Sequence, residues 1–168
     1  GQVRYGVFRF DLPPQLLFQY GAMLERQSLH AEAEKVFRQV LARNPDHGPT
    51  LNYLGYTLVE RGGRLEEAVS LLQRAVALAP PTGASPDSLA GPDQHTRAYL
   101  DSLGCAYFKL AQLDLAEPRL RAAAEQLPGD SVVQDHWGDL LAKRGRHVDA
   151  VEAWRRALAG DGDQIDRP

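Results

Sequence analysis

The sequence repeats itself, and the spacing of the repeat constrains the fold more than any other feature. Gly104 and Gly138 lie 34 positions apart, as do Ala116 and Ala150, Leu120 and Trp154, and Ala123 and Ala157. Towards the N-terminus Gly21 and Gly55 are again 34 apart, whereas Ala33 to Ala68, Phe37 to Leu72 and Pro45 to Pro80 are each 35. The extra residue is placed most simply within Gly62-Gly63, a turn-forming pair. From Pro80 to Pro128 the step is 48, and the excess lies in PTGASPDSLAGPDQHT, residues 81–96. That Pro, Gly, Ser and Asp content reads as an irregular loop. Four units follow, at 14–47, 48–82, 97–130 and 131–162. A period of this length marks units that bury their apolar faces by stacking on one another.

In register, the third unit presents Leu100, Leu103, Gly104, Tyr107, Ala116, Leu120, Ala123 and Pro128, and the first Leu17, Tyr20, Gly21, Leu24, Ala33, Phe37, Val40 and Pro45. The second supplies Leu51, Leu54, Gly55, Leu58, Ala68, Leu72, Ala75 and Pro80, the fourth Trp137, Gly138, Leu141, Ala150, Trp154 and Ala157. The sequence thereby resembles the tetratricopeptide repeat family, of bacterial type, whose pattern is Trp-x2-Leu-Gly-x2-Tyr, then Ala-x3-Phe, then Pro. The fourth unit departs from it, with Gln134 at the first apolar place and Gly162 where the proline belongs. The resemblance covers nearly all of residues 14–162. It implies an all-α fold, an α-solenoid of four helix-turn-helix repeats and about eight helices in a right-handed superhelical array. An extended N-terminal segment at 1–13 and a polar tail at 163–168 flank the repeats.

A glycine inside a helix costs about 1 kcal/mol relative to alanine, so four in register need a compensating reason. Close approach of the two helices of a unit supplies it, with Ala33, Ala68, Ala116 and Ala150 permitting the same approach from the other side. LDSLGCAYFKL is then a first helix, AQLD the turn, and LAEPRLRAAAEQLP the second helix. Pro118 is expected near the start of that second helix, where few backbone N–H groups have helical partners. The 16-residue connector is about three doublings longer than a two-residue junction, a closure penalty of about 2 kcal/mol that packing between repeats offsets.

Composition excludes several functions. The chain has 43% hydrophobic residues, enough for a core, and no apolar run long enough to cross a membrane, so no membrane insertion is expected. No signal peptide is recognisable, and the compartment stays open between cytoplasm and bacterial envelope. The chain opens at Gly1 without Met, so a segment is expected upstream. With 19 basic and 22 acidic residues and no basic run, nucleic acid is not an expected partner. The single cysteine excludes an internal disulfide or a multi-cysteine metal site.

No catalytic constellation is visible, and the chain is expected not to be an enzyme and to hold no cofactor and no metal. His30, His47, His95, His136 and His147 lack ligand-pair spacing and read as helix-surface or turn residues. Cys105 reads as a small packing or groove residue. DGDQID, residues 161–166, has only a fragment of calcium-loop spacing and reads as polar tail.

Recognition remains, and the resemblance implies a concave groove lined by first helices that binds a peptide or protein. Alignment places Phe18, Ala22, Asn52, Tyr56, Asp101, Cys105, Phe108, Asp135, Asp139 and Lys143 on that groove. The family's site for acidic carboxy-terminal tails needs Lys or Arg and Asn at matching places. This chain offers Phe, Ala, Asp and Cys there, which disfavours that ligand. Asp101, Asp135 and Asp139 with Phe18, Tyr56 and Phe108 suit a basic or basic-aromatic peptide, while Asn52 can hold an extended backbone through its amide. The alternative is a structural self-assembly module, a homo-oligomer formed through the apolar face of Val151, Trp154 and Leu158 or through the N-terminal arm.

Overall fold

The computed structural model describes residues 12–79 and 94–160. Most of the extended segment at 1–13, most of the 81–96 connector and the tail at 163–168 lie outside the described residues. Those described form eight helices and no strand: α1 (Pro14–Arg26), α2 (His30–Arg43), α3 (Gly48–Arg61), α4 (Leu65–Leu78), α5 (Gln94–Lys109), α6 (Leu113–Gln126), α7 (Ser131–Lys143) and α8 (His147–Ala159). None is long and apolar enough to cross a membrane. The chain divides after Pro45 into two compact units.

The first unit is the α1–α2 pair. Pro14 opens α1 where its missing N–H leaves no helical bond unmade. Leu17, Leu24, Ala33, Val36, Phe37 and Val40 form the buried seam. Gly21 faces Phe37 so closely that a Cβ added to it would lie 2.6 Å from the ring. Arg43 reaches back and donates to the Leu12 carbonyl at 2.6 Å.

The second unit holds three such pairs, α3–α4, α5–α6 and α7–α8, stacked so that α4 packs on α5 and α6 on α7. First helices also meet directly, α5 touching both α3 and α7. The glycine rule recurs: a Cβ on Gly55 would sit 2.6 Å from Leu72 Cγ, one on Gly104 2.6 Å from Leu120 Cγ, and one on Gly138 would strike the Trp154 ring. Ala68, Ala116 and Ala150, fully buried on the second helices, complete the close approach. Asp130 caps α7, its carboxylate accepting from the N–H groups of Val132 and Val133 at 3.0 Å each. Gln134, the polar residue at an apolar place, is fully buried because its side-chain amide donates to the Ala124 and Leu127 carbonyls at the end of α6.

Three local expectations are corrected. The extra residue of the second unit does not enlarge its turn, since all four turns between paired helices contain three residues. It lengthens α3 to 14 residues against 13 in α1. The following turn uses two left-handed residues, Gly62 (φ 69°) and Arg64 (φ 54°), where the others use one, Ser28, Ala111 or Gly145. Helix α5 starts at Gln94, inside the stretch read as loop. Its first turn is held by burial of Thr96 and Tyr99, a tertiary contact that turn-rich composition does not register. Pro118 is the sixth residue of α6, well past the unpaired first turn. It is tolerated because Pro118 and Asp114, whose carbonyl loses its helical donor, both lie on the solvent side.

The Gly104 contact gives a sharp test. Alanine there gains about 1 kcal/mol of helix propensity, but its Cβ meets the branch carbon of Leu120, not a flexible tip, and overpacking of that kind costs about 1–3 kcal/mol. Gly104→Ala is expected to lower the unfolding free energy by about 1 kcal/mol in urea titration, and to do so no longer in a Leu120→Ala background. A more stable Gly104→Ala chain refutes the close-approach account.

Candidate functional site

Within the second unit the first helices α3, α5 and α7 lie side by side, so residues of equal register form a row across them. Asn52 and Tyr56 stand on α3, Asp101, Cys105 and Phe108 on α5, and Asp135, Asp139 and Lys143 on α7. Because α5 is flanked on both sides, its members are the most enclosed: Asp101 and Cys105 are 6% and 7% exposed. Asp135, Asp139 and Lys143 are exposed, and Asn52, Tyr56 and Phe108 half-buried. Asn52 has its buried carbonyl oxygen without a partner among the described residues. Asp139 accepts from Trp154 Nε1 at 3.3 Å and so is tied to α8. Phe18 and Ala22 belong to the first unit. There the Phe18 ring packs on Phe37, centroids 6.2 Å apart, and Ala22 is buried.

The strongest polar contact of the row involves a residue that sequence reading passed over. His136 Nδ1 lies 2.9 and 3.1 Å from the two carboxylate oxygens of Asp101. His136 is half-buried, not the helix-surface residue expected, with 20% of its side chain exposed. Burial alone lowers the pKa of its imidazole, but the hydrogen bond and charge of Asp101, then Asp135 and Glu60, outweigh burial and the net direction is up. The pair is thus poised to be charge-assisted. The signal was present in the register: Asp101 and Asp135 are 34 apart, and His136 follows immediately.

Cys105 completes a cluster. The ligand atoms of Asp101, Cys105 and His136 all lie within 4.8 Å of one another, a grouping that the search for paired histidines could not reveal because it joins two repeats. The thiol is pushed well above its ordinary pKa, by burial first and then by the charges of Asp101, Glu60 and Asp139, with Lys109 opposing. Such surroundings favour the neutral thiol over the thiolate. Lys109 is itself engaged, donating to the Val59 carbonyl at 3.1 Å and pairing with Glu60 at 3.6 Å. Carboxylates from all three first helices therefore act on one place: Glu60 of α3, Asp101 of α5, and Asp135 and Asp139 of α7.

Stacked pairs of short antiparallel helices, each pair closed by a glycine against a bulky partner and presenting first helices as a continuous row, define an α-solenoid repeat protein. The model of the tetratricopeptide repeat matches residues 15–82, and the chain belongs to that family. It is 33% identical over 137 residues to the TPR repeat-containing protein PA4667 of Pseudomonas aeruginosa, an alignment covering 82% of this chain. The chain spans only 21% of that relative's length. Among solved structures, MamA (residues 41 to the end) from Desulfovibrio magneticus RS-1 is similar with a TM-score of 0.67 at 21% identity, over 93% of this chain and 78% of that one. YrrB, described as a tetratricopeptide-repeat protein with an unusual peptide-binding site, gives 0.62 at 18% identity over 86% and 67%. At such identities these two likenesses concern the fold alone.

The Asp101–His136 contact carries a measurable coupling. In a double-mutant cycle of Asp101→Ala and His136→Ala, followed by urea denaturation in metal-free buffer, the coupling energy is expected at about 1.5–3 kcal/mol, the range for a hydrogen bond to a charged group. Additive losses would show that the two side chains stand together without interacting.

Proposed function

We propose that this chain is a docking module, not an enzyme, that takes a basic or basic-aromatic peptide segment of a partner protein along the row formed by α3, α5 and α7. The convergence of Glu60, Asp101, Asp135 and Asp139 on one stretch of that row carries the reading. Lys109 is already engaged with Glu60 and the Val59 carbonyl and His136 with Asp101, while Lys143 lies exposed at the end of α7. With Glu60 set against Lys109 and Asp101 against His136, the exposed carboxylates of Asp135 and Asp139, near half-buried Tyr56 and Phe108, offer a cationic side chain its electrostatic complement and an aromatic one its contact area. Half-buried Asn52 on α3 brings an amide that can hold the backbone of the bound segment. YrrB offers a precedent in the same fold, as a protein with a peptide-binding site.

A fluorescent peptide alternating Lys or Arg with Phe or Tyr is expected to bind in anisotropy titrations, and an acidic peptide of equal aromatic content is not. Asp135→Lys, an exposed position, is expected to weaken binding about tenfold, equivalent to about 1.4 kcal/mol, and so is raising the salt to about 0.5 M. Affinity indifferent to both changes removes this face as the docking site.

A second reading rests on α8. Val148, Val151 and Leu158 are 80%, 42% and 87% exposed on that helix, an apolar strip suited to a second copy of the chain. Trp154, by contrast, turns inward against Gly138. Sedimentation velocity at several concentrations is expected to show self-association that Val151→Lys with Leu158→Lys abolishes. A wild-type chain monomeric throughout disposes of this reading.

A further inference from the structure

We propose that Asp101, Cys105 and His136 bind one divalent transition-metal ion of the zinc class, in a site shared between successive repeats. The donors are one carboxylate, one sulfur and one imidazole, with ligand atoms within 4.8 Å of one another. Asp101 and Cys105 stand one helical turn apart on α5, and His136 comes from the adjoining α7, so both sides of the site rest on helices rather than loops. Four-coordinate zinc holds nitrogen and oxygen at about 2.0–2.2 Å and sulfur at about 2.3 Å, which places neighbouring ligand atoms roughly 3.3–3.8 Å apart. The site must therefore draw the sulfur in by about 1 Å and part the Asp101–His136 contact by about half that, movements within the reach of side-chain rotation.

The surroundings favour a cation. Glu60, Asp135 and Asp139 add negative charge around the three donors, and Lys109 is the opposing group. In the structure His136 Nδ1 and the Asp101 carboxylate face each other at 2.9 Å, two donor atoms already side by side. When a metal ion binds, the S–H bond of Cys105 breaks as the sulfur–metal bond forms, and its proton leaves to solvent. His136 binds through Nδ1 as the neutral ring with its hydrogen on Nε2, and a second ring hydrogen, where one is carried, leaves to solvent as well. Sulfur among the ligands selects against magnesium and calcium, which take oxygen. Three protein donors with His136 one-fifth exposed leave a fourth position open towards the face of the row, for water or for a partner's side chain.

The test uses the full chain, stripped of metal and titrated with cobalt(II), a spectroscopic stand-in for zinc, and then with zinc itself. The expected result is one cobalt per chain with the thiolate-to-cobalt charge-transfer absorption, displaced by zinc. Cys105→Ser abolishes the band, and His136→Gln and Asp101→Asn each weaken affinity roughly tenfold or more. His147→Gln, on exposed α8 surface, leaves it unchanged. Circular dichroism shows first that each variant is helical, and should Cys105→Ser fail to fold, the wild-type and His136→Gln titrations decide. Absence of the thiolate band on the folded wild-type chain overturns the proposal, as does a band whose affinity neither His136→Gln nor Asp101→Asn alters. Because the readout requires no peptide, it stands or falls separately from the docking function.

Discussion

Each helix pair depends on one contact, that between a bare Cα in the first helix and a bulky side chain in the second. Phe37, Leu72, Leu120 and Trp154 occupy equivalent places against Gly21, Gly55, Gly104 and Gly138. These side chains differ widely in volume, yet each fills the space a Cβ would have taken. The constraint therefore lies on the first helix, which must have nothing there, while the second is free to choose what enters. The conformational cost of glycine is about 1 kcal/mol, and full burial of a Leu or Phe contributes about 1.5–3 kcal/mol. The exchange is favourable where Phe37, Leu72 and Leu120 are fully buried, which is why the glycine can recur at a helix-interior position that otherwise disfavours it.

From that contact the period of the sequence follows, and with it what could be read before any coordinates. Glycine and alanine at fixed spacing report on a local steric requirement, so the helix pairs were legible in the residues themselves. Three features were not, because each is decided by what lies across space. The extra residue near Gly62-Gly63 could have entered helix or turn. Extending α3 keeps another backbone hydrogen bond, and the two left-handed residues Gly62 and Arg64 then restore the three-residue turn. The start of α5 at Gln94 rests on Thr96 and Tyr99, buried by tertiary packing that turn-rich neighbours conceal. Pro118 reads as a helix-start residue by chemistry, but exposure, not position, is what makes it tolerable.

The candidate site shows the same division. The carboxylates at 101, 135 and 139 were visible as a row because repeats superpose equal registers. His136 was passed over because a histidine one place beyond an aspartate carries no local pattern, and its role appears only when α7 lies beside α5. Nor did alignment foresee the gradient of burial. Helix α5 is flanked by α3 and α7 on one layer and by α4 and α6 on the other, so the residues it contributes are enclosed while those of α7 remain in water. Asp101 and Asp135 are equivalent by register, yet only Asp101 is desolvated enough for its charge to act strongly on neighbours.

A repeat architecture has an electrostatic consequence that a single globule escapes. A side chain at a given register returns once per repeat, so an ionisable residue that faces the row is set beside its own counterpart, and like charges accumulate along the stack. Here the accumulation is offset at the middle by exceptions to the register: Lys109 against Glu60, and His136 against Asp101. The second exception, His136 against Asp101, sits where burial makes uncompensated charge most costly, whereas Lys109, Glu60 and the acidic flanks lie where water screens them. The row is thus not uniformly negative but has an enclosed centre, whose chemistry the imidazole and thiol determine, and open shoulders that attract cations from a distance. On the docking function proposed above, selectivity for a partner would rest on what reaches the centre, while the shoulders would govern how fast it arrives.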